Sequence, residues 1–494
     1  MSPPALRPVL PADGRAEAEL NDELGAILAM DADWQGGRIW GYVYPAGEAV
    51  DRVAKAAYMR FLVQNGLDPT AFPSVMALEN ALVAIAAAHL RGPEAVGNFT
   101  SGGTESILLA VKAARDAARA EPGRSGRLNL VLPETAHAAF HKAAHYLDLE
   151  VRSVAVDPLT FRATAPALAA AMDANTALLV ASAPSYAHGV IDDVEGIAAL
   201  GLAAGVRVHV DGCVGGWLLP FFAELGRPVP AFDFSVPGVT SISLDLHKYA
   251  LCPKGASLIL HKNKALREAQ LFSCSGWTGY TIINPTVQST RSGGPVAAAW
   301  ATLQTMGRTG YLKVAAELAG ATDALIAGLQ AIPGIRVLGA PSFTMVAFTA
   351  EDPTQLDVFV VADEMGALGW GLQPQLGHKA HPRNLHISVH PGVVGQVEPM
   401  LADLRRCVAA AVGRPADPEL AALAPMLQAL RPEDLSAEAV GHLLSAAGIS
   451  GAALPAKMAP INGLLDTLAP EVADRLLTGF YSELNIQRAP EGSE

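Results

Sequence analysis

The chain has 494 residues, of which 51% are hydrophobic, and it carries a formal net charge of −13. This length and apolar content predict a sizeable core, organised as roughly two to four domains or as one large α/β domain with appendages. The negative charge, with no block rich in lysine or arginine, argues against a nucleic-acid-binding surface, which needs clustered positive charge.

Cysteine usage and apolar stretches indicate the compartment. None of the four cysteines forms a CxxC pair, so neither a zinc ribbon nor a disulfide framework is indicated, and a reducing compartment is favoured. Met1–Pro8 has no apolar stretch of the kind found in signal peptides. Ala81–Leu90 and Ile197–Val206 are too short, or are broken by glycine, to span a bilayer. We therefore expect a soluble cytoplasmic protein without a membrane span.

The first predicted elements lie in and after a mixed N-terminal segment. The spacing of Ala16–Met30 predicts a helix, whereas the aromatic and glycine-rich stretch Asp33–Tyr44 predicts a loop or a short strand. Further along, the apolar residues of Val75–Leu90 recur at positions 75, 78, 82, 85 and 86, and this spacing predicts a second helix.

From about residue 95, stretches typical of strands alternate with stretches typical of helices. Strands that are apolar throughout and joined by helices predict a mostly parallel sheet with helices on both faces, an α/β fold. The predicted strands are Leu128–Leu132, Val151–Val156, Ala177–Ser182, Val206–Val210, Val239–Leu244 and Ser257–Leu260. The predicted helices between them are Ser106–Ala120, Ala138–Tyr146, Ala165–Met172 and Val194–Ala204.

After Gly310 the pattern changes and predicts a smaller α+β domain. Its predicted helices are Tyr311–Ala331, Gln355–Leu368 and Gln396–Val412, and its predicted strands are Arg336–Leu338, Thr344–Thr349 and Leu385–Val389. Pro415–Pro418 is typical of a linker, and the Ala/Leu-rich remainder predicts helices. We therefore predict four parts: an N-terminal segment 1–60, a large cofactor-binding domain 61–310, a small domain 311–414 and a helical C-terminal extension 415–494.

The stretch Ser241–Tyr249 carries the clearest chemical signal. It predicts a short apolar strand that ends in Asp-x-His-Lys, so that Lys248 directly follows the strand beside His247. A lysine in that position can present its amine to an aldehyde cofactor. We expect Lys248 to hold pyridoxal phosphate (PLP) as a Schiff base, with Lys254 nearby. The alternative is a surface lysine at the end of a strand.

The segment Thr100–Ser106, Thr-Ser-Gly-Gly-Thr-Glu-Ser, precedes a predicted helix. Its glycines allow an anion to approach the backbone closely, and the N–H groups and dipole of a helix start favour negative charge. No Gly-Lys-Ser/Thr follows, so the segment is not a P-loop. It is a candidate phosphate site, although a plain capped helix start explains the same residues equally well.

Three further candidates follow predicted strands. Asp211 closes an apolar strand, where ligands bind in open α/β sheets, and an aspartate beside the pyridine nitrogen of PLP keeps that nitrogen protonated. His137 can stack on the pyridine face, and Ser182 ends the strand before the loop Ala183–Gly189. The alternatives are a turn-capping aspartate, a satisfied core histidine and an ordinary loop. Because all these groups follow strands of one predicted parallel sheet, we expect them along one edge.

Three segments carry a resemblance to a known family. Thr100–Leu109, His209–Gly216 and Ser241–Tyr249, the last followed by Pro253–Gly255, resemble the sphingosine-1-phosphate lyases. These belong with the group II decarboxylases among the fold type I PLP-dependent enzymes. The similarity extends from about Trp34 to about residue 410. It implies the fold type I architecture, a PLP cofactor and a homodimer in which both subunits contribute residues to each active site.

By position, the resemblance implies roles for four catalytic candidates. Lys248 forms the imine with PLP, Asp211 pairs with the pyridine nitrogen and His137 stacks on the ring. Lys254 is a second catalytic or substrate-binding amine. The stretches 34–44 and 65–74 match regions that help line the partner subunit's site.

The same resemblance implies how the cofactor phosphate is held. Gly103 and Thr104, together with His247, are expected to bind it. The full set of predicted cofactor-binding residues is Ser101, Gly102, Gly103, Thr104, His137, Ser182, Asp211, His247 and Lys248.

Several positions depart from the family pattern on the substrate side. Asp68 stands where the family has a histidine, Met76 where it has an arginine and Ile282 where it has a tyrosine, while Tyr280 occupies a glycine position. The stretch Trp40–Tyr44 adds two large rings, and a glycine replaces the alanine that follows the pyridine aspartate. Cofactor positions are kept, whereas substrate-side positions are altered. The substrate-side candidates are Tyr44, Asn65, Asp68, Tyr280 and Arg291.

Three functions are compatible with these residues. The first is a carbon–carbon lyase that cleaves an amino alcohol, or a β-hydroxy amine or amino acid, with Lys254 as the second catalytic group. The second is an amino-acid α-decarboxylase, in which Lys254 or Arg291 binds an acidic substrate or Asp68 an amine-bearing one. The third is a PLP-fold protein that binds without catalysis. The spacing of the histidines at 378, 381, 386 and 390 matches no standard zinc pattern, and we assign no metal.

Overall fold

The computed structural model describes residues 10–122, 126–414, 425–426, 428–435 and 457–484. By its internal contacts the chain divides into two units. The major unit comprises Trp40–Thr349 and Leu385–Leu401, and the minor unit comprises Met1–Ile39, Ala350–Asn384 and Ala402–Glu494. The division into four parts, 1–60, 61–310, 311–414 and 415–494, stays a prediction.

The bounds of the described elements define the numbering used below. The α-helices α1 to α14 are Glu17–Leu28, Glu48–Arg60, Pro73–His89, Gly103–Arg119, Ala139–Leu147, Ala165–Ala171, Val194–Ala204, Leu219–Glu224, Lys264–Glu268, Gly293–Gln330, Val358–Ala367, Val397–Ala411, Ala459–Thr467 and Pro470–Leu484. The strands β1 to β13 are Val96–Thr100, Asn129–Pro133, Glu150–Val154, Thr176–Ser182, Arg207–Asp211, Ser241–Leu244, Ser257–His261, Phe272–Cys274, Ile282–Asn284, Ile335–Val337, Met345–Ala350, Gln373–Gln375 and Asn384–Ser388.

A seven-stranded sheet with the order β1-β7-β6-β5-β4-β2-β3 forms the centre of the major unit. Neighbouring strands from β3 to β6 are parallel, whereas β7 is antiparallel to both β6 and β1. The mostly parallel α/β sheet predicted from the sequence is therefore confirmed, and the six predicted strands correspond to β2–β7. Strand β1 was not predicted.

Continuous apolar sequence explains why these strands lie at the centre. Every residue of β2 and of β4 is buried, as expected for strands covered on both faces. On one face, α4 and α5 pack onto the sheet through a cluster that includes Ile107, Val111 and Phe140. In the parallel register, Ser182 is paired with Asp211 and Asp211 with Ser243. The carboxyl ends of three strands therefore meet at one edge of the sheet.

A smaller group of strands, β10, β11 and β13, follows the long helix α10 in the chain. Strand β11 is antiparallel to β13, with Met345 opposite Ser388. Beside them, the hydroxyl of Tyr249, just after Lys248 in sequence, donates to the carbonyl of Val389 at 2.9 Å. This bond fixes the chain that follows Lys248 against the smaller group of strands.

Helix α10 differs most from its prediction. The helix predicted at Tyr311–Ala331 is only the second half of a helix that begins at Gly293 and bends at Gly307, where φ is 56° and ψ is 175°. The side chain of Ser292 accepts a hydrogen bond from Gly294 N and so caps its start. Glycine is suited to the bend because a positive φ costs it little.

The minor unit is held together by polar contacts around α11 and α13. The carboxylate of Asp363 on α11 accepts hydrogen bonds from the amides of Met458 and Ala459, at 2.8 and 3.0 Å, and so caps the start of α13. Arg383 forms an ion pair with Asp466 of α13 at 2.8 Å. The predicted linker Pro415–Pro418 and most of the predicted helical extension lie outside the described residues. Among the described helices, none combines the length and hydropathy that a bilayer span requires.

Candidate active site

A cavity of about 370 Å³ lies where the predicted cofactor residues converge, beyond the ends of strands β1, β2, β4, β5 and β6 of the major unit. All of the predicted cofactor-binding residues except Ser182 line it. Its lining residues are Ser101, Gly102, Gly103, Thr104, Glu105, Ile107, His137, Pro184, Tyr186, Asp211, Cys213, Val214, Asp245, His247 and Lys248. The structure thus brings together groups from sequence positions 101 to 248.

The start of α4 provides the anion-binding side of the cavity. The first amide bonded within the helix is that of Ser106, which donates to Gly102 O at 3.1 Å. The preceding amides belong to the turn that a helix leaves without internal partners. Glu105 fixes this turn because its carboxylate accepts hydrogen bonds from both the amide and the hydroxyl of Ser101, each at 2.7 Å. Only glycine fits at position 103 without a shift, because a Cβ there would lie 2.8 Å from Asp245 Oδ2.

Lys248 forms an ion pair with Asp245, at 3.0 Å between Nζ and Oδ2. Burial alone would lower the pKa of Lys248, but the groups around it, with the Asp245 carboxylate first among them, together outweigh burial, so that the pKa of Lys248 is raised. Burial correspondingly opposes ionisation of Asp245, yet interaction with Lys248, and after it with His247, lowers the pKa of this carboxyl. The pair therefore consists of an ammonium and a carboxylate, and the amine must lose its proton before it can attack an aldehyde.

Asp211 lies at the end of β5 in a fixed orientation. Its Oδ1 accepts hydrogen bonds from Cys213 N at 3.0 Å and from Ser243 Oγ at 3.4 Å. His209, two residues earlier, approaches Ser243 Oγ with Nε2 at 3.1 Å. Burial lowers the pKa of His209 to about 4, so this ring is neutral at pH 7. Asp211 thus presents its carboxylate to the cavity from a buried polar network.

His137 and Tyr186 form another side of the cavity. Their rings are 6.5 Å apart and perpendicular, and His137 Nδ1 accepts a hydrogen bond from Ala139 N at 3.1 Å. Tyr186 in turn stacks on His386 with 4.4 Å between ring centroids. Ser182 does not line the cavity: its hydroxyl is buried without a partner among the described residues, and its amide donates to Asp192 at 2.8 Å. Ser182 therefore lies at the end of β4 but outside the cavity.

Lys254 lies beside the cavity rather than in its lining. Its ammonium donates to Tyr42 O at 2.6 Å and lies 5.1 Å from the centre of the Tyr44 ring. Burial, followed by repulsion from Lys248, lowers the pKa of Lys254 to about 8. Tyr44 is buried against Tyr249 of the same chain, with 4.8 Å between ring centroids. The two lysines therefore differ: one is held as an ammonium, and the other is an amine that is partly neutral near pH 8.

Arg291 is engaged inside the protein. Its guanidinium pairs with the buried carboxylate of Glu79 at 2.9 Å and donates to Phe99 O at 3.0 Å. Glu79 also accepts hydrogen bonds from Asn98 and from the amide of Phe99. The prediction that Arg291 could bind an acidic substrate is not supported in this chain, because its charge is already neutralised by Glu79.

The other substrate-side candidates lie away from the cavity in a single chain. Asn65 and Asp68 cap local turns: Asn65 accepts from Leu67 N at 3.0 Å, and Asp68 accepts from the amide and the hydroxyl of Thr70 at 2.8 and 2.6 Å. These bonds lower the pKa of Asp68. Tyr280 is exposed next to Trp277 in the connection between β8 and β9. Their roles toward a substrate stay predictions.

Seven lining residues had no role assigned from the sequence, and Asp245, Glu105 and Tyr186 are among them. Asp245 could have been suspected, because it belongs to the Asp-x-His-Lys motif and stands three residues before Lys248. Glu105 follows the glycine turn at the spacing of a capping residue, yet it also accepts from Val287 N at 2.9 Å, a contact that no local pattern predicts. Tyr186 lies in a loop whose composition gave no signal.

The chemical types of these residues match the parts of a PLP molecule. The glycine turn and helix start suit a phosphate, the Asp211 carboxylate suits a protonated pyridine nitrogen, and Lys248 supplies the amine for an aldehyde. The lack of a side chain at Gly103, where a Cβ would clash with Asp245, leaves the backbone of this turn exposed to a ligand.

Two family models match the sequence. The model described as pyridoxal-dependent decarboxylase conserved domain matches residues 34–351, and the model described as pyridoxal-dependent enzyme, C-terminal putative HTH domain, matches residues 418–483. Sphingosine-1-phosphate lyase of Oryza sativa subsp. japonica is 39% identical over 412 residues, which is 82% of this chain and 74% of the relative. The match to the pyridoxal-dependent decarboxylase conserved domain alone covers more than half of the chain.

A more distant relative and a solved structure complete the comparison. A probable L-tyrosine/L-aspartate decarboxylase of Methanothermobacter thermautotrophicus is 31% identical over 371 residues, 74% of this chain and 96% of the relative. The structure of Burkholderia pseudomallei sphingosine-1-phosphate lyase has a TM-score of 0.78 at 37% identity and covers 82% of this chain and 93% of that one. The chain therefore belongs to the pyridoxal-dependent decarboxylase family, with the fold type I architecture, and is a PLP-dependent lyase.

Proposed function

We propose that this enzyme cleaves the Cα–Cβ bond of a β-hydroxy amine, yielding an aldehyde and a shorter amine. The single observation that carries the proposal is Lys254, an amine next to the cavity whose pKa is lowered to about 8. Cleavage of this bond needs a base for the β-hydroxyl proton, and a partly neutral amine can serve as one near neutral pH. The relatives named sphingosine-1-phosphate lyase, at 36% to 39% identity, support the same reaction class.

The cofactor, when bound, supplies an electron sink for the bond that breaks. The chain's own residues would hold it: Lys248 would provide the amine for covalent attachment, Asp211 would balance the charge on the ring nitrogen and His137 would pack against the ring. The start of α4, with Gly103 and Thr104, would bind the phosphate together with His247. Ser101 and Gly102 complete this turn.

The proposed step balances without a further reactant. Lys254, as the neutral amine, takes the proton of the β-hydroxyl. The Cα–Cβ bond breaks, its electron pair stays on Cα, and a carbonyl forms at Cβ. The Lys248 ammonium, which lies on the cavity wall, then delivers a proton to Cα. The proton held by Lys254 passes to Lys248, so that each lysine regains its starting state. The aldehyde leaves first and the amine second.

We further propose that the enzyme works as a cytoplasmic homodimer. All four cysteines are free thiols, as is usual in a reducing compartment. Asn65, Asp68 and Tyr280 lie outside the cavity of their own chain, which fits a role in a partner's site. Within such a dimer, Asp68, Met76 and Ile282 alter the substrate side and favour a distal group other than that of the named lyases' substrate.

An amino-acid α-decarboxylase is the second candidate. The archaeal relative named as a probable L-tyrosine/L-aspartate decarboxylase supports it. Arg291 would not hold the acidic group of such a substrate, because Glu79 binds its guanidinium. Lys254 would have to serve instead.

The two candidates are separated by their products. Holoenzyme is incubated with a phosphorylated sphingoid base, with unphosphorylated 2-amino-1,3-diols of several chain lengths, and with tyrosine and aspartate. We expect aldehyde from at least one β-hydroxy amine and no CO₂ from the amino acids. Lys248→Ala, which lacks the attachment amine, is the matched control and should form neither product. Release of CO₂ without aldehyde would overturn the proposal in favour of decarboxylation.

A further inference from the structure

A second and larger cavity, of about 690 Å³, lies in the major unit between α3, α8 and α10. It shares no lining residue with the active-site cavity. Its volume falls within the range of pockets that bind small molecules. We call it the aromatic cavity, because four of its lining residues carry rings: His89, Trp217, Phe221 and Tyr311.

The rings form one connected wall. Trp217 lies 4.6 Å from the ring of His89 and 5.2 Å from that of Tyr311, and Phe221 stacks on Tyr311 with 5.6 Å between centroids. Ile85, Ala88, Pro220 and Leu303 add aliphatic surface. A planar apolar group can therefore find both stacking and edge-to-face contacts here.

One hydrogen-bond donor in this wall is unsatisfied. Trp217 is 3% exposed, and its indole Nε1 has no hydrogen-bond partner among the described residues. The other polar groups of the wall are satisfied: the Tyr311 hydroxyl donates to Ala250 O at 2.7 Å, and His89 Nε2 lies 2.7 Å from Trp217 O. A buried donor without a partner costs free energy that an acceptor on a ligand would recover.

The rim carries two arginines. Arg91 pairs with Asp233 at 2.7 Å, and Arg308 pairs with Glu224 at 2.6 Å. Their side chains are 59% and 64% exposed, and a guanidinium has five N–H donors, more than one carboxylate uses. Glu224 also lines the cavity, but it is one carboxylate against two arginines, so the lining keeps a net positive charge that favours an anionic partner.

We propose that the aromatic cavity is a binding site for a small aromatic carboxylate. Its ring would contact the wall of Trp217, Phe221 and Tyr311, and its carboxylate would accept from the Trp217 indole and from an arginine of the rim. The wall is tied to the active site, because Tyr311 bonds to the carbonyl of Ala250, two residues after Lys248, and Trp217 follows Asp211 by six positions. Binding in the aromatic cavity does not depend on which reaction the enzyme catalyses.

Calorimetric titration of the holoenzyme with 2-naphthoate tests the proposal. We expect saturable binding, and we expect Trp217→Phe, which keeps a ring but removes the N–H, to weaken it about tenfold, as for the loss of a hydrogen bond to a charged acceptor. Ala88→Phe, at an exposed position of α3 that lines the cavity, should abolish binding by filling it. Naphthalene-2-methanol, the neutral analogue, should bind more weakly than naphthoate.

Trp300→Phe is the matched control, because Trp300 lies on α10 outside the cavity and the exchange is the same. It should bind 2-naphthoate as the unmodified protein does. The proposal is overturned if the unmodified holoenzyme shows no saturable heat. It is equally overturned if Trp217→Phe and Ala88→Phe both bind with unchanged affinity, since the naphthoate would then occupy another place, including the PLP cavity.

Discussion

Lys248 and Lys254 lie close together in sequence, yet their surroundings shift their pKa values in opposite directions. Burial disfavours the charge on both. At Lys248 the attraction of Asp245, together with that of further groups around the amine, outweighs burial, whereas at Lys254 repulsion from Lys248 adds to burial. Two amines of the same chemical type can therefore do different work: one is kept charged and in place until the cofactor arrives, and the other can exchange a proton near neutral pH.

The Asp245 carboxylate should control how fast PLP attaches. Because it raises the pKa of Lys248, attachment to the unmodified apoenzyme should speed up as the pH rises. Asp245→Asn removes the charge, so the same rise should occur at least one pH unit lower. The rate is measured from the visible absorbance that develops after PLP is mixed with apoenzyme.

Asp233→Asn serves as the control for that measurement, because Asp233 is also buried but pairs with Arg91 outside the active-site cavity. Its pH dependence should match that of the unmodified protein. If Asp245→Asn also leaves the pH dependence unchanged, the ion pair does not govern the protonation of Lys248.

The lowered pKa of Lys254 gives the reaction a pH dependence of definite sign. With a pKa of about 8, roughly a tenth of Lys254 is neutral at pH 7 and about nine tenths at pH 9. If the neutral amine is the base, kcat should rise through this range. Lys254→Arg keeps the positive charge but stays protonated, so we expect its rate to fall by at least a hundredfold and its rise near pH 8 to disappear. A retained rise near pH 8 in this variant would assign the titration to another group.

The start of α4 shows how an element prepares a binding site. Gly102 and Gly103 are adjacent, but only Gly103 faces close neighbours: a Cβ there would lie 2.8 Å from Asp245 Oδ2 and 2.9 Å from Cys213 Sγ. At Gly102 the nearest atom would be His247 Cε1 at 3.7 Å, an ordinary contact. The two glycines therefore serve different purposes, although the sequence presents them as one motif.

Alanine substitutions should separate the two glycines in the apoprotein. Gly103→Ala should destabilise it by about 2 kcal/mol, the usual cost of overpacking, and Gly102→Ala by less than about 1 kcal/mol. Urea unfolding followed by circular dichroism measures the difference. Similar midpoints for the two variants would show that the turn can relax around the added carbon, and that Gly103 is not needed for packing.

The strands show which elements a sequence can reveal. Strands β2–β7 were predicted from runs of apolar residues, and in β2 and β4 this pattern is set by burial on both faces. Strand β1 contains Gly97 and Asn98 and lacks that pattern, yet it belongs to the sheet because its backbone pairs with β7. Its glycine is required by the pairing, since a Cβ on Gly97 would lie 2.2 Å from Ile259 O. Pairing with a distant strand leaves no local signature.

The same limit applies to the site. Lys248, Asp211 and His137 could be predicted because each follows a strand, and parallel strands place their ends at one edge. The pairing of Arg291 with Glu79, 212 positions earlier, could not be predicted, and it removes a substrate-binding cation that the sequence suggested. A charge in a sequence carries no information about the partner that neutralises it.

At the scale of the whole molecule, the active-site cavity belongs to one of the two units. Every residue that lines it lies in the major unit. This unit combines the seven-stranded sheet with the stretch Leu385–Leu401, which comes much later in the sequence. The minor unit gathers an N-terminal stretch, residues near 350–384 and the C-terminal helices. Such discontinuous units form through contacts between distant parts of the chain. A prediction made along the sequence can divide the chain only into consecutive segments, so it does not find them.

Asp466 offers a test of how the C-terminal helices are held within the minor unit. It is mostly buried on α13, pairs with Arg383 at 2.8 Å and accepts a hydrogen bond from Gly377 N. Asp466→Asn removes the charge and should cost about 1.5–2 kcal/mol, the lower part of the range for hydrogen bonds to charged groups. Because proteolysis follows the population of the opened form when reclosing is fast, cleavage within residues 457–484 should become about tenfold faster.

Asp474→Asn, on the exposed side of α14, should leave the rate unchanged. Equal rates for both variants would mean that apolar packing through Val472 and Leu476 alone holds these helices in place.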